Sequence, residues 1–351
     1  MTDRTDSARR RQIAMIVGAA ISAMLPAAAS AQESVTVAGY GGAMRKGFDA
    51  ALVNPAAQQV GVKIRSETHG DLPSIRVQVQ SGAPAWDLVH LGGDECARGE
   101  SEGLFEPLDL SKFDDAAIPA TARGKSWVAT NYYSVVMTWR TDKVKQPPKS
   151  WADFWDAKAF PGRRAVPGLA QETLEIALLA DGVAKDKLYP LDVERAIAAI
   201  KRLKPQIGVF WTTGAQSTQL IKDGEVDLIA IYGSRVSPVI EDGSAVQFSY
   251  DQGLLGYGCI AVPKGAKNAA KAKALALAMV SPEIQANIIE KMDNYGPVNT
   301  KAYEVRKFTP EQLAKTNSSP QNASKQVLID AAWWAKNGDK AEEAFKSAIL
   351  Q

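Results

Sequence analysis

Arg235 is a fixed cation placed where a buried strand ends, a position from which a guanidinium can grip a carboxylate through two parallel hydrogen bonds. It closes the stretch Trp211 to Arg235, WTTGAQSTQLIKDGEVDLIAIYGSR. That stretch reads as one unit: an aromatic turn at Trp211, a short helix capped by Thr212, Thr213 or Ser217, a stop at Gly224, a buried strand from Val226 to Ile231, and a polar exit through Tyr232, Gly233 and Ser234. Ligands of open α/β sheets sit beyond the carboxyl ends of strands, so this exit is a candidate binding edge. A solvated loop arginine fits the local pattern equally well. Asp94 and Glu95 follow a third predicted strand and can either receive an ammonium group or cap the next helix. Tyr40-Gly41-Gly42 follows the first strand, where glycines let a backbone approach a ligand or simply make a tight turn.

The elements that must carry these residues alternate between strand and helix. Val35 to Ala38, Val62 to Thr68 and Trp86 to Leu91 read as strands, and Met44 to Pro55 and Leu72 to Ser81 as helices between them. This rhythm predicts a doubly wound parallel sheet whose strand ends converge on one edge. Tyr132 to Trp139 reads as a strand crossing between lobes. Trp151 and Trp155 share one helical face and read as core anchors. Further helices are predicted from Gln171 to Ala180, with Glu172 near its start, from Val193 to Leu203, from Ala269 to Met279 and from Glu283 to Lys291. Gly253 to Val262 holds Tyr257 and a short strand, the turn Asn294 to Asn299 places Tyr295 beside a cleft, and Val327 to Leu350 reads as a helical tail with Trp333 and Trp334.

At 351 residues the chain is long enough for two lobes. Arg4, Arg9, Arg10 and Arg11 precede the apolar run Ile13 to Ala28 and the small-residue site Ala29-Ser30-Ala31. Residues 1–31 therefore read as a secretory signal peptide cleaved after Ala31, with Arg10-Arg11 leaving a twin-arginine route open. Beyond Ala31 the chain carries 37 basic and 37 acidic residues, and no Lys/Arg run suited to nucleic acid. An oxidising compartment permits a bridge between the two cysteines, Cys96 and Cys259, but nothing in the sequence brings them together, and separate buried thiols are the default expectation. His69 and His90 have no partner at metal-ligand or catalytic spacing, and GxSxG and SxxK are absent, so no enzyme, no resident metal and no cofactor is expected.

Nine segments then occur in order: YGGA at Tyr40, WDLV at Trp86, EGLFEPLD at Glu102, SWADFWD at Ser150, FPGRRA at Phe160, LEIALLADGV at Leu174, the unit ending in GSR, AVPKGAKN at Ala261 and YGPVN at Tyr295. Together they resemble the periplasmic solute-binding proteins of ABC importers, in the branch around spermidine and putrescine binding. The resemblance implies the two-lobed α/β fold of type II, each lobe a mostly parallel sheet with flanking helices, joined by crossover strands and hinging shut on a small solute. It implies a monomer in the periplasm that docks on a membrane-embedded permease. Crossings near Tyr133, Arg235 and Val280 assign residues 34–132 and 236–280 to lobe one, and 133–235 and 281–351 to lobe two.

Carried over by position, the family's first-loop contacts fall on Tyr40 and Gly41, and those after the third strand on Gly92 and Asp94. Its helix-start glutamate falls on Glu172, its stacking aromatic on Trp211, its hinge aromatic near Tyr232 and its last-loop contact near Tyr295. Two departures matter. Ser234-Arg235 stands where polyamine binders place an aspartate, and Gly258 where some keep a second carboxylate. The expectation is a solute with both ammonium and carboxylate, its anionic end on Arg235 and its cationic end near Asp94 or Glu172, within an aromatic wall of Trp211, Tyr232 and Tyr257. Polyamine binding is the alternative, and ferric-ion binding through Tyr132-Tyr133 a more distant one.

Overall fold

A computed structural model describes residues 34–350, apart from 69–70 and 114–115. The predicted signal peptide and His69 lie outside the described residues. Ten strands form one continuous sheet among them: β1 (Ser34–Gly39), β2 (Lys63–Thr68), β3 (Leu88–Gly92), β4 (Trp127–Arg140), β5 (Arg164–Pro167), β6 (Ile207–Trp211), β7 (Leu228–Tyr232), β8 (Val246–Ala261), β9 (Gly296–Pro297) and β10 (Val327–Leu328). Their order is β2-β1-β3-β8-β4-β7-β5-β6, with β9 added to β4 and β10 to β8.

The two flanks are parallel, as strand–helix–strand connections require: β1 pairs with β2 and β3, and β5 with β6 and β7. The middle supplies the antiparallel part of the expected mostly parallel sheets, in the strands that cross between lobes. β8 is antiparallel to β3, and β4 is antiparallel to both β7 and β8. β4 and β8 run side by side from Trp127↔Ala261 to Arg140↔Val246 and carry the chain between lobes. The short strand expected within residues 253–262 is the end of this 16-residue β8.

The apolar core divides along these two strands. One cluster gathers Val35 through Tyr132 with Leu255 through Met292 and Val298. The other side holds two clusters, one with Val135, Trp151, Leu174, Leu254 and Phe345, the other with Val136, Trp211, Val236, Val246 and Tyr250. The return crossing therefore lies within β8, at Leu254 and Leu255, rather than near Arg235. Residues 236–253 pack in lobe two, and the helix Pro282–Lys291 packs through Ile284 and Ile288 in lobe one, the reverse of the expected assignment. The physical reason is the helix Gly233–Glu241, which folds back on its own sheet through Val236 and Val239 before the chain crosses.

Cys96 and Cys259 are joined, with Cα atoms 6.5 Å apart, which corrects the expectation of separate thiols. The partners meet because Cys259 pairs in register with Leu91, two residues before the start of the helix Gly93–Ser101 that carries Cys96. The tail also departs from a continuous helix: Val327 and Leu328 pair with β8, and the helix Ala331–Leu350 comes after them, with Asp330 accepting from the Trp333 amide at 2.9 Å.

Candidate functional site

Strand ends from both lobes enclose a cleft of about 990 Å³. Lobe one contributes Tyr40 and Gly41 after β1, Gly92 and Asp94 after β3, and Tyr257 and Gly258 on β8. Lobe two contributes Gln171 and Glu172 at the start of a helix and Tyr232, Ser234 and Arg235 at the end of β7 and beyond, and Tyr295, which packs against the lobe-one core, comes from the turn before β9. All the expected site residues line this space except Trp211. Trp211 ends β6 and is 1% exposed, its ring Nε1 donating to the Ala230 carbonyl at 2.8 Å. Its ring meets Tyr232 edge-on with centroids 5.5 Å apart, so it braces the cleft aromatic from behind instead of facing a solute.

The neighbouring acids Asp94 and Glu95 divide their roles. Glu95 accepts from the Gly92 and Leu72 amides, each at 3.1 Å, and so satisfies the starts of two helices. Asp94 faces the cleft instead, where burial, with Glu95 beside it, pushes its carboxyl up to about 6. Native Asp94 thus holds a proton that the unfolded chain has already released, and its contribution to stability is lost as pH rises from about 4 through about 6. Ligand-free Asp94→Asn is therefore expected to gain thermal stability relative to the parent between pH 4 and pH 7. Equal pH slopes for the two proteins would mean that Asp94 is fully hydrated.

Glu172 has left-handed backbone geometry, φ 78° and ψ −47°, just before the helical turn that it leads into. A non-glycine residue held there stores strain and is met mostly where a side chain must be aimed. Glu172 is 2% exposed, and its carboxyl Oε2 has no hydrogen-bond partner among the described residues. Glu175 fixes this geometry from behind: it accepts from the Glu172 amide at 2.8 Å, the Tyr189 hydroxyl at 2.6 Å and Trp334 Nε1 at 2.7 Å. Burial and the adjacent Glu175 push the Glu172 carboxyl well above the usual range, while a hydrogen bond with Tyr232 works against that rise.

Arg235 lies at the other end of the lobe-two wall. Gly214, the first residue of the helix Gly214–Lys222, makes room for it, since a Cβ there would come within 2.7 Å of the arginine Nε. Among the described residues no acid pairs with this guanidinium. Beside it the Ser234 hydroxyl donates to the Tyr295 hydroxyl at 3.3 Å, adding polar groups to a positively charged corner.

Tyr133, Asn131, Gln171 and His90 also line the cleft and were not among the expected contacts of an amino-containing solute. Tyr133 packs edge-on against Tyr232 with centroids 5.8 Å apart. Tyr132 points to the opposite face of β4 and packs against Tyr257, so the adjacent phenols cannot converge on one ferric ion. Gly258 is explained by the same neighbours: a Cβ there would come within 2.5 Å of His90 Nε2, leaving no space for a carboxylate side chain.

The sequence profile described as bacterial extracellular solute-binding protein matches residues 51–318. A gamma-aminobutyric acid-binding protein of Pseudomonas aeruginosa is 34% identical over 330 residues, covering 92% of each chain. The spermidine/putrescine-binding periplasmic protein of Escherichia coli is 22% identical over 300 residues, 82% of each chain. The crystal structure of an ABC transporter substrate-binding protein from Bradyrhizobium japonicum superimposes with a TM-score of 0.87 at 42% identity, covering 91% of this chain and 100% of that one.

Proposed function

This chain belongs to the bacterial extracellular solute-binding proteins, and from that premise we propose that its solute is a small ω-amino carboxylate of the 4-aminobutyrate kind. As in ABC importers generally, the protein captures the solute and works with a membrane permease rather than transforming it. The proposed site for capture is the periplasm, reached through the predicted signal peptide, with the protein acting as a monomer.

One observation carries the ligand class: Arg235, a guanidinium with no acidic partner among the described residues, and Asp94, a cleft-facing carboxyl, stand on opposite lobes of one cavity. A carboxylate held by Arg235 and an ammonium held by Asp94 would each gain from hinge closure, because expelling water strengthens both contacts. Tyr232, Tyr133 and Tyr257 supply apolar and cation-attracting walls between the two ends. The name of the Pseudomonas relative, which binds gamma-aminobutyric acid, agrees with this reading.

A polyamine fits the same cleft less well. An ammonium about 4 Å from Arg235 would be repelled by about 4 kcal/mol at an effective dielectric constant near 20. Calorimetric titration with 4-aminobutyrate, putrescine and spermidine tests the reading. Tight binding is expected for 4-aminobutyrate alone; tight polyamine binding without any for the amino acid would overturn it.

A further inference from the structure

The corner that carries Arg235 is built on an incomplete helical turn. The helix Gly233–Glu241 contains Pro238, which has no N–H to offer the Ser234 carbonyl one turn earlier. The first turn, which brings Ser234 and Arg235 to the cleft, is therefore short of a backbone hydrogen bond that would fix it from within. Its placement then depends more on contacts from outside the helix.

Asn294 supplies such a contact. Its side-chain Nδ2 donates to the Gly233 carbonyl at 3.2 Å and to the Ser237 hydroxyl, spanning the first turn from end to end. The Tyr250 hydroxyl donates to Oδ1, and because a carbonyl only accepts, Gly233 decides which way the amide points. Gly233 also lets the asparagine come this close, since a Cβ there would lie 3.1 Å from the Asn294 Cβ. The backbone of Asn294 is held as well: its N–H donates to the Lys315 carbonyl, and its own carbonyl accepts from Asn317 Nδ2, each at 3.0 Å.

Asn294 is 2% exposed and adopts φ 61°, a left-handed geometry. Of the short residues that visit this region routinely, asparagine alone brings both a donor and an acceptor; glycine has neither, and an ionised aspartate only accepts. The next residue completes the corner. Tyr295 packs against the lobe-one core, and its hydroxyl accepts from the Ser234 hydroxyl at 3.3 Å. Burial pushes the Tyr295 phenol up, while the Ser234 hydrogen bond and then the Arg235 charge work against that rise, so the guanidinium stands within electrostatic reach of it. One peptide link thus joins a residue bonded to lobe two with a residue packed on lobe one, beside the cation of the cleft.

Resting on the reading of this cleft as an ω-amino carboxylate site, we propose that Asn294 is the positioning residue of its carboxylate end. The amide locks the first turn of the helix to the turn that bears Tyr295, so that Ser234, Arg235 and Tyr295 await the carboxylate in one preset arrangement. A guanidinium grips a carboxylate through two hydrogen bonds only over a narrow range of positions, and a first turn free to shift loses that fit while the lobe stays folded.

A double-mutant cycle with Arg235→Ala tests this, because it separates a residue that acts through the guanidinium from one that merely supports the fold. Asn294→Gly keeps the left-handed backbone and removes the amide. It is expected to weaken 4-aminobutyrate binding about tenfold in the parent, but less than about twofold when Arg235 is already alanine, since no guanidinium is then left to position. Ligand-observed NMR titration reads the weak members of the cycle, at a temperature where melts show every member folded. Ser237→Ala, which removes one of the two groups that the amide grips, is expected to show the same pattern at about threefold and takes the place of Asn294→Gly if that variant does not fold. Unchanged 4-aminobutyrate affinity, or a loss by the same factor with and without Arg235, would overturn the proposal and leave the functional reading standing. Failure of the parent protein to bind 4-aminobutyrate would remove that reading, and the role of Asn294 with it.

Discussion

Arg235→Ala is expected to weaken 4-aminobutyrate binding by roughly 100-fold or more, because truncating one partner of a buried, hydrogen-bonded charge pair costs about 2–5 kcal/mol. The loss should fall on the carboxylate end only. Amines without a carboxylate are expected to bind no worse to the variant than to the parent, since the cation that repels them is gone. Stability should change by only about 0.5 kcal/mol, because no acid among the described residues pairs with the guanidinium and Gly214 beneath it contributes no side chain. Calorimetry with 4-aminobutyrate and putrescine, alongside a thermal melt of the ligand-free protein, separates these effects. An unchanged ligand profile would place Arg235 outside the site.

How far the sequence could lead is clearest at individual residues. Arg235, Asp94, Tyr40 and Tyr232 were legible because each follows a buried strand, and strand ends of an α/β sheet face one edge whatever the details of packing. Trp211 was not, because residue type alone does not say which side of a strand end a ring will take. The space behind Tyr232 was large enough for an indole, and the Ala230 carbonyl supplied its hydrogen bond. Glu172 was legible as a position but not as a conformation: its left-handed backbone arises from Glu175 gripping its amide, a contact that helical periodicity does not encode. Tyr133 was hidden by its neighbour, since two adjacent tyrosines invite reading as a pair, whereas a strand sends them to opposite faces. The lobe boundary was misplaced for a related reason. β8 mixes residues buried on both faces with a partly exposed start, so its first half carries no periodic signal that would join it to the rest. β5 is only four residues long and wholly buried, bounded by Gly162 on one side and ending at Pro167, and leaves no period to read.

The bond between Cys96 and Cys259 is the second feature whose removal should have a large effect. The partners lie 163 residues apart, and the chain between them leaves lobe one along β4, builds most of lobe two and returns along β8. Without the bond the unfolded chain regains the freedom of that whole excursion, which in the chain-entropy account is worth up to about 5 kcal/mol. Both cysteines are fully buried, so replacing the pair with alanine also leaves a small cavity beneath the cleft. Ligand-free Cys96→Ala/Cys259→Ala is expected to melt roughly 5–10 °C below the parent. The bond also anchors a binding wall: Cys96 lies two residues beyond Asp94, and Cys259 directly follows Gly258, while Tyr257 is pressed so closely on Gly93 that a Cβ there would lie 2.4 Å from its ring. Loosening this corner should therefore lower ligand affinity at temperatures where the variant is still fully folded. Melts and titrations of the double variant at about 10 °C check both parts. A midpoint within about 1–2 °C of the parent would mean that the sheet register alone holds lobe one together.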